Sequence, residues 1–388
     1  MKVLNDKYSI GIDAVNISGG GGLTHLREII NAIDFDYYPE LKFVIWGRKS
    51  VLKVLRSHPN IEKNIVTKPY TGIFSRLCWQ VYGLSLELKK AKSDVLFAPG
   101  GTHISMFKPA VVLSQNLLPF QISEALRFGF SLQIFKTITL TFVQSISFRR
   151  SEGMIFLSLF AQKTVQKFTG NLMAKSVVIP HGIDFRFRNL KMAKELFPYK
   201  KVDLLYVSTI DHYKHQSKII KYTWFLRNKT GWNLKLKFIG SARPSALKEF
   251  ETAIAFYDPD RLWIEYLGVI NFDHMSDYYK ETDIAIFAST CENLPNILIE
   301  KMASGIPIIS TSVGPMPEVL KDAGLYFDID NYESFSLAIT RMVLDARLRG
   351  VCSERAKILS HEYNWKICAD QTLQFLIGIA SKHKGKRN

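Results

Sequence analysis

The amino-acid sequence predicts an α/β protein with two domains. Short strand-like segments, such as the apolar run 284–288 and the segment 234–239, alternate with longer segments whose apolar residues recur at helical spacing. Several runs lead into loops of glycine, serine or threonine, and ligands of open α/β sheets bind beyond the carboxyl ends of the strands. The length of 388 residues is sufficient for two packed cores.

Charge and cysteine usage restrict the class of protein. The formal net charge is +16, and residues 41–92 hold 11 lysines and arginines against 2 acidic residues. This bias predicts a polyanionic neighbour. Anionic lipid headgroups or a diphosphate-linked acceptor fit better than nucleic acid, because no nucleic-acid-binding motif is visible; a basic surface without a partner is the alternative. Four scattered cysteines and a polar start indicate a reducing compartment and no secretory signal.

The stretch 289–310 predicts a loop, a short helix and the next strand. Pro295 suits the first turn of the helix, Asn293 precedes it as a cap, and Gly305 ends it. A helix N-terminus presents N–H groups and a partial positive charge. We therefore expect an anion to bind against residues 293–296.

Two carboxylates in this stretch, Glu292 and Glu300, have seven residues between them. They are followed by Gly-Ile-Pro at 305–307, Gly-Pro-Met-Pro-Glu at 314–318 and an Asp-Ala-Gly element at 322–324. In this order and spacing the motifs resemble the donor site of the family 4 retaining glycosyltransferases, the group 1 glycosyl transferases. The alternative is a pair of solvated glutamates beside an ordinary βαβ crossover.

The resemblance implies roles for these residues. Glu300 would bind the ribose hydroxyls of a nucleotide sugar, and Glu292 would contact the transferred sugar. The loop that would bind the sugar and diphosphate comprises Asn293, Leu294, Pro295 and Asn296. A retaining hydrolase is less consistent with the spacing, since eight helical residues span roughly 10 Å and such hydrolases hold their carboxyl groups about 5–5.5 Å apart.

A lysine and a missing arginine mark the predicted diphosphate site. Lys214 matches the diphosphate-binding lysine of the family, so we expect it to act in catalysis with Glu292. Five residues earlier, where many members have an arginine, this chain has Thr209. Either Lys214 carries more of the charge alone, or a cation from elsewhere, such as Lys218 or Arg243, has replaced the arginine.

Two loops in the first half are predicted to face the donor and acceptor. A run of glycines at 19–22, with Gly20 and Gly21 at its centre, lets backbone approach a sugar or phosphate, and the family has a Gly-Gly turn here. A plain flexible loop is the alternative. Gln115 and Asn116 follow a buried strand where many members have a His-Asp pair. Neither amide can titrate, so we expect hydrogen bonds to the sugar or acceptor rather than proton transfer.

The resemblance implies a GT-B fold, in which two doubly wound Rossmann-like domains face a central cleft. The predicted division is an acceptor-side domain at 1–184, a nucleotide-sugar-binding domain at 185–365, and a helix with a basic tail at 366–388 that returns to the first domain. The long apolar run 128–148 is interpreted as one or two helices largely buried in the first domain. Contact of part of it with a bilayer is the alternative.

The predicted function is transfer of a hexosyl unit from a UDP- or GDP-sugar to an acceptor hydroxyl with retention. The acceptor is expected to be a lipid-linked or surface-polysaccharide intermediate, as in lipopolysaccharide or capsule biosynthesis. We expect neither metal nor cofactor. Of the two Asp-x-Asp triplets that could suggest a divalent-metal site, the one at 34–36 is predicted to end a helix, and the one at 328–330 to form a loop after the Asp-Ala-Gly element. The expected location is cytoplasmic, peripheral on the inner face of the membrane. Alternatives are a nucleotide-sugar 2-epimerase and a non-catalytic protein that binds sugar nucleotides or polyanions.

Overall fold

A computed structural model describes residues 7–67, 78–127, 132–188 and 195–385. The chain divides into two compact units. The first consists of Met1–Ile122, Ser131–Gly182 and Asn364–Asn388, and the second of Ser123–Phe130 with Ile183–Tyr363. Sequence reasoning did not indicate that the short segment Ser123–Phe130 groups with the second unit.

The first unit is built on a parallel sheet of seven strands in the order β3-β2-β1-β4-β5-β6-β7 among the described residues. Its strands are β1 Tyr8–Ala14, β2 Leu41–Gly47, β3 Ile61–Ile65, β4 Val95–Ala98, β5 Ala110–Leu113, β6 Gly153–Phe156 and β7 Ser176–Val178. Its helices are α1 Gly20–Ala32, α2 Lys49–Leu52, α3 Leu84–Lys90 after a π-helical turn at Trp79–Gly83, α5 Leu132–Arg150, α6 Leu159–Thr169 and α14 Trp365–Lys384. The short helix α4, Ile122–Leu126, enters the segment that groups with the second unit.

The second unit has a six-stranded parallel sheet in the order β10-β9-β8-β11-β12-β13. Its strands are β8 Val202–Val207, β9 Leu234–Ile239, β10 Ile264–Tyr266, β11 Ile284–Phe287, β12 Ile308–Thr311 and β13 Leu325–Phe327. Its helices are α7 Gln216–Thr230, α8 Pro244–Tyr257, α9 Met275–Glu281, α10 Asn296–Ser304, α11 Met316–Leu320, α12 Tyr332–Leu344 and α13 Ala346–Ser360. Alternate residues of the strands, on one face of the sheet, pack against apolar residues of α7, α8, α12 and α13 to form a large core cluster.

The strand order explains where a site can form. In each sheet the order reverses beside a central strand, between β1 and β4 in the first unit and between β8 and β11 in the second. The loops that follow such a pair of strands diverge to opposite faces of the sheet and leave a crevice between them. In the second unit these two loops carry Lys214 and Glu292. The fold therefore brings together residues that are 78 positions apart in the sequence.

Several local expectations are corrected by the structure. Helix α1 begins at Gly20, so three of the four glycines form its first turn rather than a loop before it. The edge strand Ile61–Ile65 was not predicted, because three of its five residues are charged or polar. The sequence predicts that the last helix ends at about 380 and is followed by a solvated basic tail, but the helix continues to Lys384. The sequence also predicts a helix over 73–91 and a linker with a helix over 189–199, of which positions 73–77 and 189–194 lie outside the described residues.

The apolar run 128–148 is described from residue 132 onward, and it forms the single helix α5. The prediction that it is largely buried is wrong for one face. Phe135, Ile138 and Phe142 are 69%, 62% and 67% exposed. Their spacing of three and four residues places them on one side of the helix. The opposite side, with Gln144, Ser147 and Phe148, packs into the unit. A surface helix usually buries its apolar side, but this helix exposes an apolar side and buries a partly polar one.

Candidate active site

Lys214 lies in the loop that follows strand β8. The side chain of Asp211 accepts a hydrogen bond from the amide of His212 at 2.9 Å, and its carbonyl accepts one from the amide of Lys214, also at 2.9 Å. His215 is in the left-handed conformation with φ 57°, and helix α7 begins directly after it. These bonds fix the backbone of Lys214, and the residue is only 8% exposed.

The ammonium group of Lys214 forms a salt bridge with the carboxylate of Glu292, and their side chains are 10% and 15% exposed. The Lys214 nitrogen also lies 5.2 Å from the ring centre of Tyr213 and 5.6 Å from that of Phe287. The hydroxyl of Tyr206 donates to the carbonyl of Lys214. Because a partly buried charge is costly without its partner, each group of the pair stabilises the position of the other.

Thr290 joins the two loops, and sequence reasoning missed it. Its amide donates to the carbonyl of Tyr213 at 2.9 Å. Its hydroxyl donates to Glu124 Oε2 at 2.9 Å and lies 3.0 Å from Nε2 of His215. Burial lowers the pKa of His215 to about 4, so the ring is neutral and we assign its proton to Nε2, which donates to Thr290. Glu124 is 166 residues away in the sequence, so no local signal could reveal the contact.

Helix α10 begins one residue later than predicted. Its N-cap is Pro295, and the helix starts at Asn296, so the assignments of Asn293 as cap and Pro295 to the first turn are wrong. The carbonyl of Leu294 accepts a hydrogen bond from the amide of Asn296 at 3.0 Å. An anion that bound to the Asn296 amide would have to displace this carbonyl. Asn293 and Leu294 are 9% and 8% exposed. The predicted end is confirmed, since Gly305 has φ 75°.

Glu300 lies on α10, two turns after its start. Its Oε2 accepts a hydrogen bond from the hydroxyl of Tyr279 at 3.1 Å. Although Glu300 keeps some exposed surface, burial of its carboxyl group raises its pKa to about 7, against the opposing effects of Tyr279 and the charge of Lys301. The ionised form is therefore poorly solvated, and hydroxyl donors of a ligand would stabilise it.

The adjacent Lys301 is a fully buried lysine that sequence reasoning also missed. Its nitrogen donates to the carbonyl of Ile286 at 2.8 Å and lies 5.3 Å from the ring centre of Phe287 and 5.6 Å from that of Tyr206. Burial lowers its pKa to about 7. A lysine between Leu298 and Met302, on the apolar side of the helix, was the signal available in the sequence. Lys214 and Lys301 thus both contact the ring of Phe287.

The predicted residues of the first unit lie in the segments that follow strands β1 and β5. Gly20 has φ 61°, and side-chain atoms added at Gly20 or Gly21 would meet no atom within 4 Å. A Cβ atom at Gly22 would lie 3.1 Å from Oε1 of Gln115, so the glycine turn and Gln115 are neighbours. Nε2 of Gln115 is buried without a hydrogen-bond partner among the described residues. Asn116 is exposed, and its Oδ1 accepts from the amide of Leu118 at 3.1 Å, which makes it a cap for the following turn.

Other candidate chemistry is less well supported. Burial raises the pKa of the Cys291 thiol, so this cysteine is not an activated nucleophile. Within the described residues, no group of three or more His, Cys, Asp and Glu side chains could hold a metal ion. Asp328 accepts a hydrogen bond from the amide of Asp330, and Asp330 pairs with Lys218.

Thr209, which stands where many family members have an arginine, is exposed. Its hydroxyl lies 3.1 Å from that of Ser241.

Comparison with solved structures shows the fold. Sucrose-phosphate synthase from Thermosynechococcus elongatus superposes with a TM-score of 0.75 at 14% identity, covering 97% of this chain and 100% of that one. HepE from Anabaena, solved in complex with UDP and glucose, gives a TM-score of 0.69 at 16% identity, covering 96% and 99%. The predicted fold class is confirmed: this is an α/β protein of the GT-B class, with two parallel-sheet units.

Comparison of sequences identifies the family of the second unit. Residues 187–358 match the family model described as glycosyl transferases group 1. O-antigen chain mannosyltransferase B from Escherichia coli is 27% identical over 111 residues, 29% of each chain. The lipopolysaccharide core biosynthesis glycosyltransferase LpsE of Rhizobium meliloti is 32% identical over 108 residues, 27% of this chain and 32% of that one. The matches thus span about a third of these relatives, and residues 187–358 belong to the group 1 glycosyl transferases, as the resemblance indicated.

Proposed function

We propose that this protein is a glycosyltransferase that moves a hexosyl unit from a UDP- or GDP-sugar to an acceptor hydroxyl, with retention at the anomeric carbon. The observation that carries the proposal is the salt bridge between Lys214 and Glu292 at the switch point of the second sheet, with Glu300 on the helix that follows. The family of residues 187–358 and the UDP bound by HepE, a protein of the same fold, support a nucleotide-sugar donor.

In the proposed reaction the bond between the anomeric carbon and the diphosphate oxygen breaks, and the acceptor oxygen bonds to the same carbon. The proton of the acceptor hydroxyl passes to the departing diphosphate, so atoms and charges balance. The main barrier is separation of the diphosphate from an oxocarbenium-like sugar. Lys214 would stabilise the negative charge that develops on the leaving group. Glu292, which holds Lys214 in place, would accept hydrogen bonds from the sugar.

A panel of UDP-, GDP- and ADP-sugars tests the proposal. A ligand that binds only the native state raises the unfolding temperature, so one class of nucleotide sugar should do so selectively. With that donor and an acceptor extract, free nucleoside diphosphate should appear together with a glycoside of the donor's anomeric configuration, measured by NMR. Absence of release with every donor would contradict the proposal. Formation of a C2-epimerised sugar without acceptor would instead support the epimerase alternative.

Metal-independent chemistry is part of the proposal. Lys214 and the partial positive charge at the start of α10 would supply the positive charge that metal-dependent transferases take from a cation. Nucleoside diphosphate release should therefore keep at least about half of its rate after dialysis against excess EDTA, as expected where no cation assists the departing group. Loss of release on chelation, with recovery on addition of manganese or magnesium, would contradict this part of the proposal.

The acceptor is proposed to be lipid-linked and to reach the protein from an anionic membrane surface. The exposed apolar side chains of α5 support this, with Lys136 between them and Arg149 and Arg150 at the end of the helix. Apolar groups that enter the headgroup region and nearby basic groups act together in such binding. No helix in the described part of the chain is both long and apolar enough to span a membrane.

Replacing Phe135, Ile138 and Phe142 together by serine should weaken binding to vesicles of mixed phosphatidylglycerol and phosphatidylcholine by about tenfold or more, since each side chain contributes apolar area. Sedimentation with vesicles measures the effect. A matched control replaces three residues of the second unit that are equally exposed, namely Phe256, Leu262 and Val269. Equal losses in both triple variants, or binding that does not fall as salt rises, would contradict the membrane proposal.

A further inference from the structure

Arg243 is held beside the loop that carries Lys214. The backbone around it pairs with that loop: the amide of Ile210 donates to the carbonyl of Ser241 at 2.7 Å, and the amide of Arg243 donates to the carbonyl of Ile210 at 3.0 Å. The Nε of Arg243 donates to Oδ2 of Asp211 at 2.8 Å. The Arg243 side chain is nonetheless 39% exposed, so a ligand can approach its guanidinium group.

Asp211 connects Arg243 with Lys214. Its buried carboxylate binds the Arg243 guanidinium through Oδ2 and caps the turn before Lys214 through Oδ1, while its carbonyl accepts from the Lys214 amide. One acidic residue therefore positions two cations on adjacent loops. A single carboxylate cannot balance both cations, and Glu292 balances Lys214 separately.

We propose that Arg243 is a second diphosphate-binding residue, supplied by the loop after β9 and acting together with Lys214; this inference rests on the proposed function. A planar guanidinium group matches the oxygen geometry of a phosphate better than an ammonium group does. With Thr209 offering one neutral hydroxyl, Arg243 provides the other fixed positive charge on this side of the crevice.

Lys218 is the competing candidate, and its surroundings are less suitable. Its ammonium group forms an ion pair with Asp330, an acid whose side chain is 71% exposed. Lys218 lies on helix α7, beyond the turn that presents Lys214. Among the described residues, no hydrogen bond joins Lys218 to Asp211 or to the groups that Asp211 binds. Lys218 therefore serves as the matched control in the test.

The test measures binding of inorganic pyrophosphate, whose recognition does not depend on the unknown base. Arg243→Gln alone would leave the buried Asp211 carboxylate without its cation, so it is combined with Asp211→Asn, which keeps an oxygen to accept from His212. The double variant should bind pyrophosphate about 10–150-fold more weakly than the wild type, which is the range expected for loss of a hydrogen bond to a charged group. Asp211→Asn alone should bind it more tightly, because the carboxylate that competes for Arg243 is removed.

Each outcome decides the inference. Weakening in the double variant, tightening in Asp211→Asn and an unchanged Lys218→Gln support it. A double variant that binds like the wild type, a similar loss in Asp211→Asn alone, or a wild type that does not bind pyrophosphate overturns it. Unfolding temperatures of all variants separate binding from folding. Failure of the proposed function is distinguishable, since it appears as absence of donor turnover in the wild type.

Discussion

Replacing Lys214 by alanine is expected to lower the rate of sugar transfer by about 10²–10³-fold. The diphosphate gains negative charge as its bond to the sugar breaks, and Lys214 is positioned to stabilise that charge. The residue is 8% exposed and is fixed by hydrogen bonds on both sides of its backbone, so water cannot replace it without a loss of preorganisation.

The alanine variant also leaves Glu292 without its cation, which could reduce activity by disturbing the loop. The double variant Lys214→Met with Glu292→Gln removes both charges and should show a similar or larger loss of rate, with an unfolding temperature close to that of the wild type. Lys218→Ala, which removes an exposed ion pair with Asp330, is the matched control and should keep its rate within about twofold. Near-normal turnover of Lys214→Ala would mean that the diphosphate binds elsewhere.

Binding of the donor is expected to depend on ionisation of Glu300. Ribose hydroxyls donate to a carboxylate, so the nucleotide sugar binds the ionised form more tightly. Because the pKa of the unliganded carboxyl is raised to about 7, ionisation must accompany binding below that pH. The affinity of the wild type should therefore fall about tenfold from pH 8 to pH 6, and donor binding at pH 6 should release a proton.

Glu300→Gln removes both the charge and its titration. It should bind the donor about 1.5–3 kcal/mol more weakly at pH 8, and its affinity should change less between pH 6 and pH 8 than that of the wild type, since Lys301 still titrates in this range. Calorimetry with an intact nucleotide sugar is the suitable measurement, because its phosphates do not titrate in this range. Glu281→Gln on the neighbouring helix is a control, since Glu281 is exposed and pairs with Lys237, whereas Tyr279 donates to Glu300.

The two glutamates should respond differently. Glu292→Gln should lower turnover more than it lowers affinity for UDP or GDP, because its proposed partner is the sugar. A pH-independent affinity in the wild type, or equal mild losses in Glu292→Gln and Glu300→Gln, would contradict the proposed division of roles.

The sequence predicted much of the second unit because its signals are local. The alternation of leucine with lysine, followed by Phe238 and Ile239, predicted β9 over 234–239 as observed. Gly305 with Pro307 ended α10, because glycine adopts φ 75° easily and proline cannot continue a helix. The first residue of that helix was misjudged. Pro295 suits a helix start, but its ψ of 77° lies outside the helical region, so the helix starts one residue later, at Asn296.

The sequence by itself determined the alternation of strands and helices, and its motifs indicated the family to which residues 187–358 belong. Those features depend on periodicity and on caps within a few residues. Only the tertiary structure decided that Thr290 binds Glu124, that Asp211 holds Arg243, and that Lys301 is buried beneath Phe287. The reason is that these contacts join different elements of the fold, and the order of the strands and the packing of the helices, rather than distance along the chain, determine which side chains meet.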